Sequence, residues 1–426
     1  MDKMDRMAQV TNLSTKSQPY CHVCGGSDLR QVLSLGHTPL ANSLLRTDEL
    51  DEPEPTFPLD LVFCPNCTLV QLLESVPPER LFREYFYFSS FSDTMLRHAE
   101  KLAKQVISRR KLGPKSLVIE AASNDGYLLQ YYQKAGIPVL GVEPAHNVAK
   151  VARERHGITT LEEFFTTDFA RQMVSAGKRA TVFHGHNVLA HVPDLNGFVQ
   201  GIRTLLDDET GIAIIEVPYV EPLIDNLEFD TIYHEHLWYF SLNSLDNCFT
   251  RHDLVISDVE LVPIHGGSLR IYAVPNMRRA ERQPSVDQLL QKEVERGITR
   301  WAYYSQYESR VQALAKSLRD CLVDLKEQGK RIAGYGASAK GSTLLNYSGI
   351  GHDLLDYIVD RSSYKQGYYA PGTHLCIHHP DKLMQTQPDY VLMLVWNFLD
   401  EILAQQAAFR ASGGKFIVPL PEVRMV

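Results

Sequence analysis

The chain has 426 residues, 44% of them hydrophobic and 22% charged, and a net charge of −8. That length exceeds one comfortable core and predicts two or three domains with the composition of an ordinary globular protein. The acidic balance excludes a general polyanion-tracking surface, which needs clustered positive charge to displace counterions. An anionic small molecule held by a few local Lys, Arg and N–H groups stays open. No apolar run of about 18 residues or more is present, and the first residues (MDKMDRMAQVTNLSTKSQ) lack a secretory signal's apolar stretch. A cytoplasmic protein is expected.

The first ~18 residues are polar and predict a frayed end. Then come Cys21-His-Val-Cys24 and, after an excursion of 39 residues, Cys64-Pro-Asn-Cys67. Two matched C-x-x-C knuckles can hold four thiolates around one tetrahedral zinc, and a closed four-cysteine site is structural because no position is left for water. In a reducing compartment that grouping points to metal rather than disulfides. His22 and His37 are spare donors, and Cys248, Cys321 and Cys376 have no partner by spacing. Residues 81–93 (LFREYFYFSSFSD) read either as a packed connection or as a lid carrying Tyr85 or Tyr87 into a site. Residues 95–110 have helical spacing, ended by Gly113-Pro114.

Residues 116–145 (SLVIEAASNDGYLLQYYQKAGIPVLGVEPA) predict a strand, a turn, a helix and a second strand with an acid at its tip, the first half of a Rossmann-type unit. The turn from Ala121 to Gly126 lacks the triple-glycine fingerprint, so a dinucleotide pyrophosphate is not its natural ligand. Glu143 at the tip of the second strand suits a ribose diol. Together they fit S-adenosylmethionine, which has a ribose and no phosphate. Residues 180–192 and 211–220 supply later strands of the same parallel sheet, and 276–330 a charged, mostly helical bridge. A second such unit opens at Arg331, where Gly334-x-Gly336-x-x-Ala339 precedes a helix and Asp360 follows. Lys340 adds a cation to N–H groups that already favour a diphosphate.

TIYHEHLWYF (231–240) sets two histidines around a glutamate among aromatics. The helical metalloprotease motif needs histidines four apart, and here they are two apart. On an extended backbone His234 and His236 share one face, while Tyr233 and Glu235 take the other. All the groups then reach one substrate only if the backbone turns. Aromatic neighbours allow a purely structural patch. Histidine is also the natural base for a proton on carbon next to a carbonyl, with a tyrosine hydroxyl on the oxyanion.

Several stretches together resemble the nucleotide-sugar C-methyltransferases, which place a branching methyl on C3 of deoxysugars: CHVCG, LGHTPLANSLL, FPLDLVFCPNCTLVQL, YFYFSS, EAASNDGYLL, GVEPAHNVA, HNVLAHVPD, EFDTIYHEHLWYFSL, HGGSLR and GYGASAKGSTLLNY. The resemblance runs from about Cys21 to the C-terminus. It implies a multidomain α/β chain: a zinc-binding domain (1–80), a Rossmann-like class I S-adenosylmethionine domain (81–275), and linking helices with a second Rossmann-like domain for a dTDP-linked sugar (276–426). It implies deprotonation of C3 beside a C4 ketone, then methyl transfer to the enolate. His236 is then the base, with Tyr233, Glu235, His191 and Tyr87 completing the pocket.

Zinc falls to Cys21, Cys24, Cys64 and Cys67. Cofactor contacts fall on Glu120, Ala122, Asn124, Gly126, Tyr127, Leu128, Glu143, Pro144, Asn187 and Val188. Substrate contacts fall on Ser338, Lys340, Gly341, Arg361 and Lys365, and on Arg270 unless HGGSLR is only a turn. Ala121 stands where the family leads one to expect a larger apolar residue. A monomer with no nucleic-acid or membrane partner is expected. The rival readings are an NAD-dependent oxidoreductase built on Gly334 to Asp360, and a non-catalytic zinc-ribbon adaptor.

Overall fold

Three sheets follow one another along the chain in a computed structural model that describes residues 19–74, 76, 88–264 and 266–426. The expected frayed end, and residues 81–87 with Tyr85 and Tyr87 of the segment read as a connection or a lid, lie outside the described residues. The strands are β1 (Arg30–Pro39), β2 (Thr56–Phe63), β3 (Val70–Leu72), β4 (Val118–Ala121), β5 (Val139–Val142), β6 (Thr160–Leu161), β7 (Val182–His186) and β8 (Ile212–Pro218). They continue with β9 (Trp238–Tyr239), β10 (Leu254–Val262), β11 (Ser268–Pro275), β12 (Ile332–Tyr335), β13 (Ile358–Val359), β14 (Ile377–His378), β15 (Tyr390–Met393), β16 (Lys415–Val418) and β17 (Arg424–Met425).

The first sheet has the order β1-β2-β3-β9 and is antiparallel. Its last strand is borrowed from the segment just past His236, so the cysteine-bearing region and the histidine strip share one hydrogen-bonded ladder. Val70 pairs with Tyr239 and Gln71 with Trp238, and the Leu72 N–H reaches the Leu237 carbonyl at 2.9 Å.

The second sheet has the order β10-β11-β8-β7-β4-β5-β6. Strands β4 to β8 are parallel. Helices cover both faces of such a sheet, which is why its strands read as near-continuous apolar runs such as VIEA and IAIIEVP. The antiparallel hairpin β10–β11, not predicted from sequence, extends the sheet beyond β8. The order of strand succession reverses between the parallel neighbours β4 and β7, and ligands of doubly wound sheets bind beyond the strand ends at such a switch point.

The expected helical bridge is present as helices Pro284–Arg296, Trp301–Tyr304 and Tyr307–Glu327. Phe63 of β2 stacks on Tyr304 at 4.7 Å, both fully buried, tying the first sheet to the bridge. Burying a side chain of that size is worth roughly 1.5–3 kcal/mol. The third sheet, β14-β13-β12-β15-β16-β17, is parallel except for β17, with its own reversal between β12 and β15. Helix Ala339–Tyr347 leaves β12 and is N-capped by Ser338, whose Oγ accepts from the Gly341 N–H at 3.1 Å. No helix among the described residues is long and apolar enough to cross a membrane.

Candidate active site

The sulfur atoms of Cys21, Cys24, Cys64 and Cys67 all lie within 4.8 Å of one another. Cys21 and Cys67 stand 3.4 Å apart and Cys24 and Cys64 3.6 Å. A tetrahedron with Zn–S bonds of about 2.3 Å has edges of roughly 3.8 Å, so the four thiols already form the cage a zinc ion needs. The Asn66 side-chain N–H donates to Cys24 Sγ at 3.2 Å, a contact that orients a ligand sulfur. The fit is to a closed structural site.

One cavity of about 630 Å³ opens where all three sheets meet, a volume usual for a ligand site. Its cofactor end is built from the β4, β5 and β7 tips. Ala122, Asn124 and Asn187 hold φ values of +52°, +49° and +52° there, a conformation asparagine tolerates better than most residues. Ala122, Asn124, Tyr127, Glu143, Pro144, Asn187 and Val188 line this end. Glu143 accepts the Asn124 and Ala145 N–H groups, both at 2.9 Å, and burial pushes its carboxyl up to about 7. Each oxygen keeps a lone pair for a ribose hydroxyl.

Glu120 stands behind that wall, buried, and neither carboxyl oxygen has a hydrogen-bond partner among the described residues. Burial, then the nearby Glu143, Asp125 and Glu216, hold it well above the usual range. Gly126 and Leu128 also lie behind the lining. Gly126 has φ +81°, and a Cβ there would meet Ile158 at 3.0 Å. Ala121 is fully buried and lines the cavity, where a larger side chain would take space from the ligand.

The histidine strip is not extended. The His236 N–H closes a turn on the Tyr233 carbonyl at 2.8 Å, and Tyr233, Glu235 and His236 all line the cavity while His234 does not. The two-faced reading of YHEH is thereby corrected: the turn brings together groups that a strand would separate. His236 Nδ1 lies 2.8 Å from the Thr231 carbonyl, which can only accept, so Nδ1 carries the proton in the neutral ring. The Nε2 lone pair faces the Tyr233 hydroxyl at 2.7 Å. His191, with ring centroid 4.8 Å from that of His236, is kept neutral by burial, which lowers it to about 4. His234 is buried against Phe57, its Nε2 3.3 Å from the Phe57 carbonyl, and is structural.

Glu235 accepts from the Asn42 amide at 2.7 Å, across from the first domain. Burial raises it to about 7, with Asn42 and then Lys365 opposing. A folded pKa above the unfolded value of 4.5 means the stability this group contributes is complete below pH 4.5 and is lost as pH rises through about 7. Glu235→Gln keeps an acceptor for Asn42 and removes the titration. The variant is expected to match the parent's unfolding free energy at pH 4.5 and exceed it at pH 8 by up to about 3 kcal/mol, measured by denaturant titration at each pH. Equal pH dependence in the two proteins would refute this.

At the far end, Ser338, Lys340 and Lys365 line the cavity. The Lys340 ammonium is buried, has no hydrogen-bond partner among the described residues, and lies 4.8 Å over the Trp396 ring. Burial lowers it, opposed by Asp230 and Glu228. Lys365 donates to the Ala337 carbonyl at 2.7 Å.

Two expected phosphate ligands are placed elsewhere. Arg270 is buried in β11, bonded to Glu216 at 2.5 Å and Glu260 at 2.8 Å, so HGGSLR leads into a strand whose arginine is consumed inside the sheet. Arg361 is exposed and pairs with Glu401. Gly341 serves the helix cap instead of lining the cavity. Asp360, which a dinucleotide fold would turn to a ribose, accepts the Ala337 and Ser362 N–H groups, both at 2.8 Å. Gly336 packs so closely that a Cβ would meet Val395 at 2.5 Å. The glycines and Asp360 therefore build a tight turn, and NAD chemistry gains no support from them.

A zinc cage, a switch-point cleft for a ribose-bearing cofactor and a histidine-tyrosine pair in one cavity define a methyl-transferring enzyme that uses S-adenosylmethionine. The chain matches a zinc-binding domain over residues 21–82, a methyltransferase domain over 95–259 and a C-methyltransferase C-terminal domain over 263–421. C-methyltransferase NovU of Streptomyces niveus is 37% identical over 406 residues, covering 95% of this chain and 96% of that protein. The chain belongs to this C-methyltransferase family.

Partial likenesses to solved structures include magnesium protoporphyrin IX methyltransferase of Synechocystis PCC 6803 with bound SAM. It is 13% identical, with 42% of this chain and 79% of that one covered and a TM-score of 0.33. A S-adenosylmethionine-dependent methyltransferase from Clostridium acetobutylicum ATCC 824 is 10% identical over 42% and 92%, with a TM-score of 0.35. These are too weak to bear on the chemistry.

Proposed function

We propose that the enzyme methylates C3 of a 4-keto-6-deoxy sugar carried on a nucleoside diphosphate, dTDP for preference, in branched-chain deoxysugar biosynthesis. The observation that carries this reading is the Thr231 carbonyl's hold on His236 Nδ1, which leaves Nε2 as a base beside a tyrosine hydroxyl. Bound S-adenosylmethionine supplies an electrophilic methyl group on a sulfonium sulfur. Glu143, Asn124 and Asn187 hold it at the cofactor end.

When the sugar enters, the Tyr233 hydroxyl turns from Nε2 to the C4 oxygen. Nε2 takes the C3 proton, and the C–H electron pair becomes an enolate whose oxygen accepts from Tyr233. Glu235 and His191 wall the same space, and Tyr87 belongs to this group by resemblance. The ammonium of Lys340, with Lys365 and the Ser338 cap, suits the diphosphate. A reducing cytoplasm suits four thiolates, and a monomer contains every group used.

Incubation with methyl-labelled S-adenosylmethionine and a dTDP-4-keto-6-deoxy sugar is expected to place the label on C3. Label confined to oxygen or nitrogen would overturn the C-methyl reading. Lys340→Met is expected to weaken binding of dTDP by roughly 10- to 100-fold, the loss of one charge-assisted contact. Unchanged dTDP affinity, measured by calorimetry, would place the diphosphate elsewhere.

A further inference from the structure

The peptide that orients the base is itself held from the C-terminal side of the chain. The Thr231 carbonyl, which accepts from His236 Nδ1 at 2.8 Å, shares one peptide plane with the Ile232 N–H, and that N–H donates to the Phe229 carbonyl at 3.0 Å. A planar peptide cannot turn one of these groups without the other. Residues Phe229–Thr231 form a 3₁₀ turn, tightened by the Thr231 N–H and hydroxyl on the Glu228 carbonyl at 3.0 and 2.7 Å. How this turn is seated therefore sets the direction in which His236 presents Nε2.

Three contacts seat it, and all come from the unit around the third sheet. Asp230, fully buried, accepts the Trp396 indole N–H on Oδ2 at 2.6 Å. Phe229, equally buried, meets Tyr347 edge-on with ring centroids 5.3 Å apart. The Ile232 carbonyl accepts the Thr343 hydroxyl at 3.2 Å. Thr343 and Tyr347 share helix Ala339–Tyr347, and Trp396 follows β15. The Thr231–Ile232 peptide is thus bracketed on both sides by bonds from a distant part of the sequence.

The bond from Trp396 is the strongest of the three, because a buried carboxyl needs a donor and an indole N–H can only donate. Burial pushes Asp230 up to about 6, opposed by Lys340 and then by the indole. Its Oδ1 has no hydrogen-bond partner among the described residues, which leaves Oδ2 and the indole to fix the side chain. The same indole carries the Lys340 ammonium 4.8 Å over its ring. One side chain therefore borders the cation at the diphosphate end and, through Asp230, the turn that orients the base.

We infer that Trp396 is a positioning residue for proton transfer: through Asp230 it seats the Phe229–Thr231 turn so that the Thr231 carbonyl keeps the His236 proton on Nδ1 and leaves Nε2 for the sugar. The inference rests on the assignment of His236 as the base. It gives the unit around the third sheet a part in the chemistry besides holding the nucleotide.

The test uses the full chain with Trp396→Phe, which keeps an aromatic face under Lys340 and removes the indole donor. NMR of protein carrying nitrogen-15 histidine shows which ring nitrogen is protonated, and the His236 signals are those that vanish in His236→Gln. The parent is expected to hold the proton on Nδ1, and the phenylalanine variant to show a mixture of both tautomers. Its kcat for methyl transfer should fall roughly 10- to 50-fold, within the worth of one hydrogen bond to a charged group, while the Kd for dTDP changes less than about 3-fold. Asp230→Asn keeps an acceptor for the indole and should keep the single tautomer, with kcat within about 3-fold of the parent. Thr343→Val removes the tie at Ile232, gives a smaller loss of the same kind, and serves where the phenylalanine variant does not fold. A single Nδ1 tautomer with unchanged kcat in Trp396→Phe would overturn the inference. So would weakened dTDP binding with the tautomer intact, which would make Trp396 only a bed for Lys340. A parent enzyme that leaves C3 unmethylated would remove the base assignment; the tautomer comparison needs no substrate and tests the seating of the turn by itself.

Discussion

His236→Gln is expected to lower kcat for methyl transfer by roughly 10²- to 10⁴-fold, the usual worth of a positioned general base, with little change in the affinity for S-adenosylhomocysteine. The expectation rests on the tautomer. With Nδ1 tied to the Thr231 carbonyl, Nε2 is the basic atom, and glutamine fills the space without a group of comparable basicity. A more direct readout avoids the methyl donor. In deuterium oxide without S-adenosylmethionine, the parent enzyme should wash deuterium into C3 of the keto sugar, and His236→Gln should not. Tyr233→Phe removes the hydroxyl that bonds Nε2 and that is assigned to the enolate oxygen, so it should slow exchange while leaving the base in place. Exchange that persists in His236→Gln and vanishes in a His191 variant would move the base to His191, whose ring also lines the cavity.

Much of this was legible in the residues. Two C-x-x-C knuckles could do little but close on one ion, because four thiolates complete a tetrahedron. The strand, glycine-poor turn and acid at 116–145 read as a ribose site without a phosphate cradle, and Ala122, Asn124 and Glu143 do come together on the cavity wall. The shape of YHEH was not legible, because strand and turn both accept that composition. What decides is that Tyr233 and His236 close a turn while Thr231 caps the ring, contacts no local pattern encodes. Arg270 was misplaced for a related reason. HGGSLR reads as a loop until β11 is laid beside β8, where Arg270 falls directly opposite Glu216. His184 and His186 carried a usable signal, two histidines at strand period in an otherwise apolar run. His186 lines the cavity beside Glu216, some thirty residues on, which only the sheet brings near.

Removal of zinc should be nearly as costly to methyl transfer as loss of His236, although the metal takes no part in the chemistry. The cage fixes residues 21–26 against 64–67, and β3 leaves the second knuckle to pair with β9, immediately after the histidine turn. One further contact braces β3 against the first knuckle and two cross the same boundary. The His22 N–H reaches the Gln71 side chain at 3.4 Å, the His22 ring packs edge-on to Trp238 at 5.4 Å, and Asn42 holds Glu235 at 2.7 Å. Structural zinc supplies folding energy outright, so Cys67→Ser, or chelation, loosens the ladder that positions Tyr233, Glu235 and His236. The cofactor end is built on β4, β5 and β7, which have their own parallel sheet. Methyl transfer should therefore fall at least about 100-fold, beyond one lost hydrogen bond, while the Kd for S-adenosylhomocysteine shifts less than about 3-fold. Asn42→Ala, with zinc in place, should cost an intermediate amount, roughly 10-fold, because it severs a single strut. If zinc-depleted protein kept full activity, the first sheet would be a passive neighbour of the histidine turn. If cofactor affinity fell in step with activity, the two ends of the cavity would share one folding unit.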